Sequence, residues 1–155
     1  MPEAKHSGQK FRGAVVHGID SSRRVMLPAD WRPMVKNAGF TAILWPIFGP
    51  GQFLLVLPPQ RLDLLLEKLN QNESLSSERV AAVERRIGST SVEIVLDQVG
   101  RFCLPENLAR AAGLDKEAQF VGRMDKFEIW SPERYKACQV EMDDLLLSAA
   151  KEVKL

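Results

Sequence analysis

The residues of this chain with the clearest binding chemistry are two arginines, each of which closes an Asp-x-x-x-Arg segment. Asp20 and Arg24 frame the first segment, and Asp97 and Arg101 frame the second at an offset of 77 residues. An Asp at the start of a turn can accept hydrogen bonds from the turn's own backbone and stiffen it. The Arg then begins the next segment at a fixed place, where its guanidinium could meet a phosphate or a guanine edge. The same pair could equally do no more than close the turn, and its repetition leaves these two interpretations level.

The residue before the arginine differs between the two copies. Gly100 precedes Arg101 and can adopt a positive φ, whereas Arg23 precedes Arg24. The first corner therefore has either another backbone geometry or a left-handed conformation at Arg23. Arg23 also adds a positive charge, which favours an additional phosphate contact. We expect the first corner to carry more of any nucleic-acid contact and the second corner to carry more of the fold.

The segments that position these corners repeat as well. The order is strand, corner, strand, short helix, strand pair and longer helix, over about 11–70 and again over 88–150. A linker and helix at 71–87 join the two halves, 1–10 is predicted to be a disordered extension, and 151–155 a tail. A repeat of about half the chain length predicts two copies of one unit, each unable to bury its apolar face alone.

Apolar periodicity and turn residues predict the individual elements. The predicted strands are 11–19, 24–27, 41–46, 53–57, 91–96, 101–104, 119–121 and 126–130. The predicted helices are 30–38, 60–69, 78–87, 106–112 and a last one from 132 onward. Asp30 is expected to cap the first helix and Ser131 the last, because both side chains can accept a hydrogen bond from the first turn of a helix.

Length and composition are those of one globular domain, or of two halves that share a core. The chain has 155 residues, 45% of them hydrophobic, and a net charge of +1. Residues 1–40 hold seven Lys or Arg against three acids, whereas 137–155 hold two against four. This asymmetry predicts a basic face and an acidic tail, although ordinary scatter of surface charge explains it equally well. Since we find neither an apolar run of membrane-spanning length nor a signal peptide, we expect a cytoplasmic protein without a membrane partner.

Patterns for catalysis or metal binding are weak. His17 lies in a strand without partners at ligand spacing, and Cys103 and Cys138 form no metal or redox motif. We expect both cysteines to be reduced and to serve packing. No glycine-rich phosphate loop is present. The sequence thus predicts no enzyme, no catalytic or metal site, no cofactor and no small-molecule substrate.

The doubled motif resembles the MraZ family of bacterial transcriptional regulators, which belongs to the AbrB-like (SpoVT/AbrB) superfamily. The resemblance covers about 11–150, nearly the whole chain. Besides the two Asp-x-x-x-Arg turns, the matching features are Phe11-Arg12-Gly13, Leu27-Pro28, Leu104-Pro105, Glu84-Arg85-Arg86 and Phe127-Glu128-Ile129-Trp130. The family motif has a Gly before the Arg, so Arg23 is a departure from it.

The resemblance implies an α+β fold, in which two tandem AbrB-like swapped-hairpin modules form one pseudo-two-fold β-barrel with flanking helices. It also implies a homo-oligomeric ring that binds double-stranded DNA at tandem promoter repeats upstream of division and cell-wall genes, at the nucleoid. The DNA-binding residues carried over are the motif arginines Arg24 and Arg101, with Arg12 near the first corner and Arg23 as an added charge.

One alternative from a different class remains open. An oligomeric scaffold or protein-interaction module without DNA binding would suit the near-neutral net charge. It would also suit the replacement of the family's Gly by Arg23. An enzyme is a more distant alternative, which a polar pocket around His17 would revive.

Overall fold

The computed structural model, which describes residues 9–47 and 51–154, is a mixed α+β structure built on antiparallel strands. The strands are β1 Ala14–Gly18, β2 Arg24–Met26, β3 Thr41–Pro46, β4 Gln52–Leu57, β5 Val92–Glu93, β6 Arg101–Cys103, β7 Glu117–Arg123 and β8 Lys126–Trp130. The helices are α1 Arg32–Val35, α2 Pro59–Gln71, α3 Ser77–Thr90, α4 Glu106–Ala111, α5 Pro132–Ala137 and α6 Gln139–Val153. A single 3-10 turn, Ala29–Trp31, precedes α1. Most of the extension predicted at 1–10 lies outside the described residues.

The six-stranded sheet is symmetrical about its centre. Its order is β1-β7-β8-β4-β3-β5, so the first strand of each half pairs with the strand pair of the other half. At the middle, β4 and β8 run antiparallel with Leu55 opposite Glu128. The remaining strands, β2 and β6, form a separate two-stranded ribbon with Val25 opposite Phe102. Each half therefore supplies strands that the other half needs.

The sheet is open, and the expected barrel is not closed. β1 and β5 are its two edges, and no backbone pairing joins them within the described residues. The strand expected at 91–96 stops after Val92–Glu93, which pairs with β3 at only two positions. By contrast, β1 pairs with β7 at five positions. An edge strand of two residues is too short to continue the ladder around a barrel.

Two apolar clusters fill the two faces of the sheet, because successive side chains of a strand point to opposite sides. Along β4, Leu54 and Val56 face the cluster beneath the β2–β6 ribbon and the short helices. Phe53, Leu55 and Leu57 face the other cluster, which α2, α3 and α5 cover. The molecule thus has three layers, with the ribbon on one side of the sheet and the longer helices on the other.

Of the two predicted helix caps, the structure confirms one and contradicts the other. Ser131 caps α5 as expected, since its hydroxyl accepts a hydrogen bond from the Arg134 backbone at 3.3 Å. The expectation for Asp30 was wrong. Pro28 takes the cap position without a side-chain hydrogen bond, and Asp30 lies inside the 3-10 turn. The single helix predicted from 132 onward is divided at Cys138 into α5 and α6, and α6 continues to Val153, into the predicted tail.

Candidate nucleic-acid interface

The first corner is held by three hydrogen bonds to one carboxylate. Asp20 Oδ1 accepts from the backbone N–H groups of Ser22 and Arg24, each at 2.9 Å. Asp20 Oδ2 accepts from Arg24 Nε at 2.8 Å. The Arg24 backbone contact is the largest cause lowering the pKa of Asp20 below the ordinary value of 3.8. The carboxylate is therefore ionised when the corner is formed, and it fixes both ends of the turn.

The second corner repeats this geometry. Asp97 Oδ1 accepts from the backbone N–H groups of Val99 at 3.0 Å and Arg101 at 2.9 Å. Asp97 Oδ2 accepts from Arg101 Nε at 2.9 Å. The pKa of Asp97 is lowered as well, chiefly by the backbone hydrogen bond from Arg101. Matching distances at an offset of 77 residues mean that the same local chemistry builds both corners.

Both motif arginines lie on the outer face of the ribbon. Val25 and Phe102 point inward and are 1% and 4% exposed, so the residues next to them in each strand point outward. The register places Arg24 diagonally across the two strands from Arg101. Diagonal neighbours in an antiparallel pair lie roughly 7–8 Å apart, and their Cβ atoms are somewhat closer. A two-stranded ribbon of this kind is narrow enough to enter the major groove of DNA.

The aspartates leave one edge of each guanidinium free. Arg24 and Arg101 are each held through Nε, and their side chains are 44% and 32% exposed. Within the described residues, the terminal nitrogens of both arginines make no hydrogen bond. A guanidinium held at Nε and open at its terminal nitrogens can donate two parallel hydrogen bonds to a phosphate or to a guanine.

The two corners have the same backbone conformation despite their different sequences. Gly100 has φ +91°, and Arg23 at the matching position has φ +61°. Of the two options left open by the sequence, the left-handed conformation at Arg23 is the one adopted. A left-handed backbone costs a residue with a side chain about 1–2 kcal/mol. The Arg23 side chain offsets part of this cost, because its Nε donates to the Leu104 carbonyl at 3.0 Å.

A guanidinium occupies the matching place beside Gly100, but another residue supplies it. Arg32 Nε donates to the Leu27 carbonyl at 3.0 Å, and its stem lies directly over Gly100. Leu27 and Leu104 are the equivalent residues of the two halves, and each bonds back to the opposite corner through its own N–H. The corner with Arg23 therefore supplies its own guanidinium, whereas the corner with Gly100 receives one from α1.

The role of Arg32 is not visible in the sequence, where it is one of the seven basic residues of 1–40. In the structure its side chain attaches α1 to the second corner. The equivalent residue in the second half is Ala109, which lines one cavity together with Arg23. Each corner thus has a single arginine at one of two alternative positions, and both arginines come from the first half. Comparing the two halves residue by residue, Arg23 with Gly100 and Arg32 with Ala109, could have revealed this difference.

In the described part of the chain, the hydrogen bonds of Arg12 do not connect it to either corner. Its side chain is exposed, and its backbone carbonyl accepts a hydrogen bond from Trp31 Nε1 at 3.2 Å. No hydrogen bond or ion pair joins Arg12 to either corner within the described residues. The structure thus brings Arg24 and Arg101 together on one ribbon, with Arg23 at the first corner.

The remaining polar candidates have structural contacts. His17 Nδ1 hydrogen-bonds the Met26 carbonyl and so ties β1 to the ribbon. Cys138 is buried as expected, but Cys103 is exposed, because alternation along β6 places it on the outer face of the ribbon. The described residues hold no group of three potential metal-ligating His, Cys, Asp or Glu side chains. Among those residues, no helix is long and apolar enough to cross a membrane.

Comparison with known proteins gives one consistent family. The family model described as "MraZ protein, putative antitoxin-like" matches residues 88–154. The protein named Transcriptional regulator MraZ from Parvibaculum lavamentivorans is 36% identical over 135 residues, which cover 84% of this chain and 81% of that protein. The proteins of the same name from Geotalea daltonii and Shewanella denitrificans are 38% and 35% identical, over 78% and 86% of this chain and 82% and 86% of their own lengths.

Proposed function

The chain belongs to the MraZ family of transcriptional regulators, and from that membership we propose that it regulates transcription by binding specific DNA sequences. The target would be tandem promoter repeats upstream of division and cell-wall genes, bound by a ring of subunits at the nucleoid in the cytoplasm. Each half of the chain would be an AbrB-like swapped-hairpin module. The exchange of first strands between the two halves supports that last point.

The observation that carries the proposal is the pair of matched corners on one narrow ribbon. Arg24 and Arg101 each have an ordered guanidinium whose free edge faces outward. Ordering before binding reduces the entropy that a contact must overcome. The proposed role of both residues is to read a base edge or to grip a phosphate. Arg23 and Arg12 would add contacts to the backbone of the DNA.

Assembly into a ring would account for the low net charge. One subunit carries only +1, which is little for a protein that binds DNA. Several ribbons on one ring could meet several DNA repeats at once, and linked contacts gain effective concentration. Affinity should then depend steeply on salt, because log affinity falls by about 0.9 per phosphate neutralised for each unit of log salt.

The proposal is tested by fluorescence anisotropy with DNA from the chain's own upstream region and with a scrambled duplex of equal length. Arg24→Ala and Arg101→Ala should each weaken binding to the native DNA several-fold, without loss of the ring. Arg79→Ala, which removes an exposed arginine from α3 in the helical layer, is the matched control and should bind as the wild type does. Equal binding of the wild type to native and scrambled DNA would refute sequence specificity. Unchanged affinity of both ribbon variants would refute the assignment of Arg24 and Arg101.

The alternative function is an oligomeric scaffold without DNA affinity. It is favoured by the corner ion pairs, in which Asp20 and Asp97 already neutralise the two motif arginines. Retention on a heparin column under a salt gradient distinguishes the two functions. The DNA-binding proposal expects elution later than a control protein of equal charge, and the scaffold expects coelution with it.

A further inference from the structure

The last helix leaves most of its apolar side chains in solvent. The exposed fractions are 66% for Leu146, 61% for Leu147, 70% for Val140 and 62% for Val153. A helix of about 12–15 residues is only marginally stable in water unless an apolar face packs against something. The structure thus presents a 15-residue helix most of whose apolar surface is not covered within its own chain.

The direction of these side chains is set by the helical period. Leu145 and Met142 line a groove against the sheet of their own chain, beside Trp45. Successive residues of a helix are about 100° apart around its axis. Leu146 and Leu147 are therefore turned away from the groove that Leu145 lines, and that groove cannot bury all three leucines.

A second groove, which we call the basic groove, lies between α2 and the sheet. Its apolar wall includes Trp45 and Leu64, and its volume is about 240 Å³. Its charged rim consists of Arg61, Lys68, Arg123 and Lys126.

The basic groove is positive after its own ion pairs are counted. Asp125 pairs with Arg61 and Lys126, both at 3.0 Å, and Glu128 pairs with Arg123 at 2.9 Å. Lys68 makes no ion pair in the described part of the chain. Four cations thus face two carboxylates, and the rim is left with excess positive charge.

The charge of α6 is opposite. The helix carries four carboxylates and a single lysine, and the acids interrupt or border its apolar side chains: Glu141, Asp143, Asp144 and Glu152 against Lys151. The helix and the groove are therefore complementary, because their charges are opposite and both have exposed apolar surface. Both are present in every copy of the chain.

We propose that α6 of one subunit docks in the basic groove of the next, so that Leu146 and Leu147 pack against Leu64 while the acids of α6 face Lys68. This inference rests on the ring of the proposed function and names the contact that would build it. A helix from one copy in a groove of another is a head-to-tail contact, which generates a ring when the rotation closes. The groove lies in the helical layer, on the opposite side of the sheet from the ribbon, so docking leaves Arg24 and Arg101 free.

Two defective variants of the full chain test the docking. The helix variant is Leu146→Gln with Leu147→Gln, which removes apolar surface but keeps residues that favour a helix. The groove variant is Leu64→Gln with Lys68→Glu, which replaces an apolar wall residue and reverses the charge beside it. The matched controls are Ser148→Gln on α6 and Arg79→Glu on α3, both exposed and outside the contact. Circular dichroism and thermal unfolding establish that all four variants are folded.

The assembled mass is measured by native mass spectrometry. We expect the wild type and both controls to form the same ring. Each defective variant alone should fall to the 17.4 kDa of one chain. An equal mixture of the two should give a species of two chains and nothing larger, because only one intact helix and one intact groove can meet.

Every other outcome overturns the docking. If the groove variant keeps its ring while the helix variant loses it, α6 packs somewhere else, for instance against another α6. If both variants keep their rings, the docking is wrong while the ring stands. A wild type of single chains refutes the ring and the docking together. The anisotropy titration of the wild type decides separately whether the chain binds DNA.

Discussion

Replacing Gly100 with Ala tests whether the second corner and the side chain of Arg32 share one space. An added Cβ would lie 2.5 Å from Arg32 Cδ and 2.7 Å from Arg32 Nε, which is closer than Cβ contacts in real proteins. The backbone at Gly100 also has φ +91°, where alanine is strained. The variant therefore strains the corner and pushes Arg32 off the Leu27 carbonyl.

The expected loss in the free energy of unfolding has two contributions. The left-handed backbone costs an alanine about 1–2 kcal/mol. A hydrogen bond from a charged donor contributes about 1.5–3 kcal/mol, and we take the lower end because this contact is only partly buried. Gly100→Ala should thus destabilise the fold by about 3 kcal/mol, and Arg32→Ala by about 1.5 kcal/mol. The double variant should also lose about 3 kcal/mol, because the same hydrogen bond cannot be lost twice.

The assay is thermal unfolding of the wild type, both single variants and the double variant at one protein concentration. For a chain of this size, 1 kcal/mol moves the midpoint by about 2–4 °C, so Gly100→Ala should lower it by roughly 6–12 °C. Gly88→Ala is the control, since Gly88 lies in α3 and a Cβ there would meet nothing within 4 Å. That control should raise the midpoint, because alanine favours a helix over glycine by about 1 kcal/mol.

Additive effects of Gly100→Ala and Arg32→Ala would refute the claim that the two positions share one space. If the double variant is destabilised by the full sum of the two single effects, Arg32 and Gly100 do not compete for one space. A Gly100→Ala variant as stable as the wild type would refute it more directly, because neither the strain nor the contact would then matter.

Two further predictions concern the same corners. Arg23→Gly relieves the left-handed strain but loses the hydrogen-bond donor to the Leu104 carbonyl, so we expect a small net loss of stability. Adding Ala109→Arg to this variant should recover the lost stability. Ala109→Arg alone should unfold at a lower temperature than the double variant. The lowered pKa values of Asp20 and Asp97 mean that their contribution to stability is complete above the ordinary value of 3.8 and is lost as the pH falls through the lowered values. Thermal unfolding from pH 7 to pH 2 should show this loss in the wild type and less of it in Asp97→Asn.

The order of the elements was predictable because its signals are local. The strands and helices expected from periodicity occur in the predicted order, and β7 and β8 pair around Met124 as predicted. Ser131 caps its helix with contacts only three residues away. The same local signal fails at Asp30, because Pro28, two residues earlier, takes the cap position.

Pairing across the sheet was less predictable. The short β5 and the open edges depend on which strands lie beside β3, and those neighbours are distant in the chain. The exposure of Cys103 likewise follows from the face of a ribbon whose partner strand lies in the other half. A pattern of apolar residues gives the period of a strand, but it does not identify the element that covers each face.

The sequence by itself determined the duplicated corners. Each aspartate bonds to backbone groups two and four residues further on, so these hydrogen bonds need nothing from the rest of the chain. Only the tertiary structure decided what the unequal residues of the corners do. Arg23 reaches the Leu104 carbonyl across 81 residues of sequence, and Arg32 covers Gly100 from the first half. These contacts arise because the two halves interleave their strands, and that interleaving places the end of one half's motif beside the corner of the other.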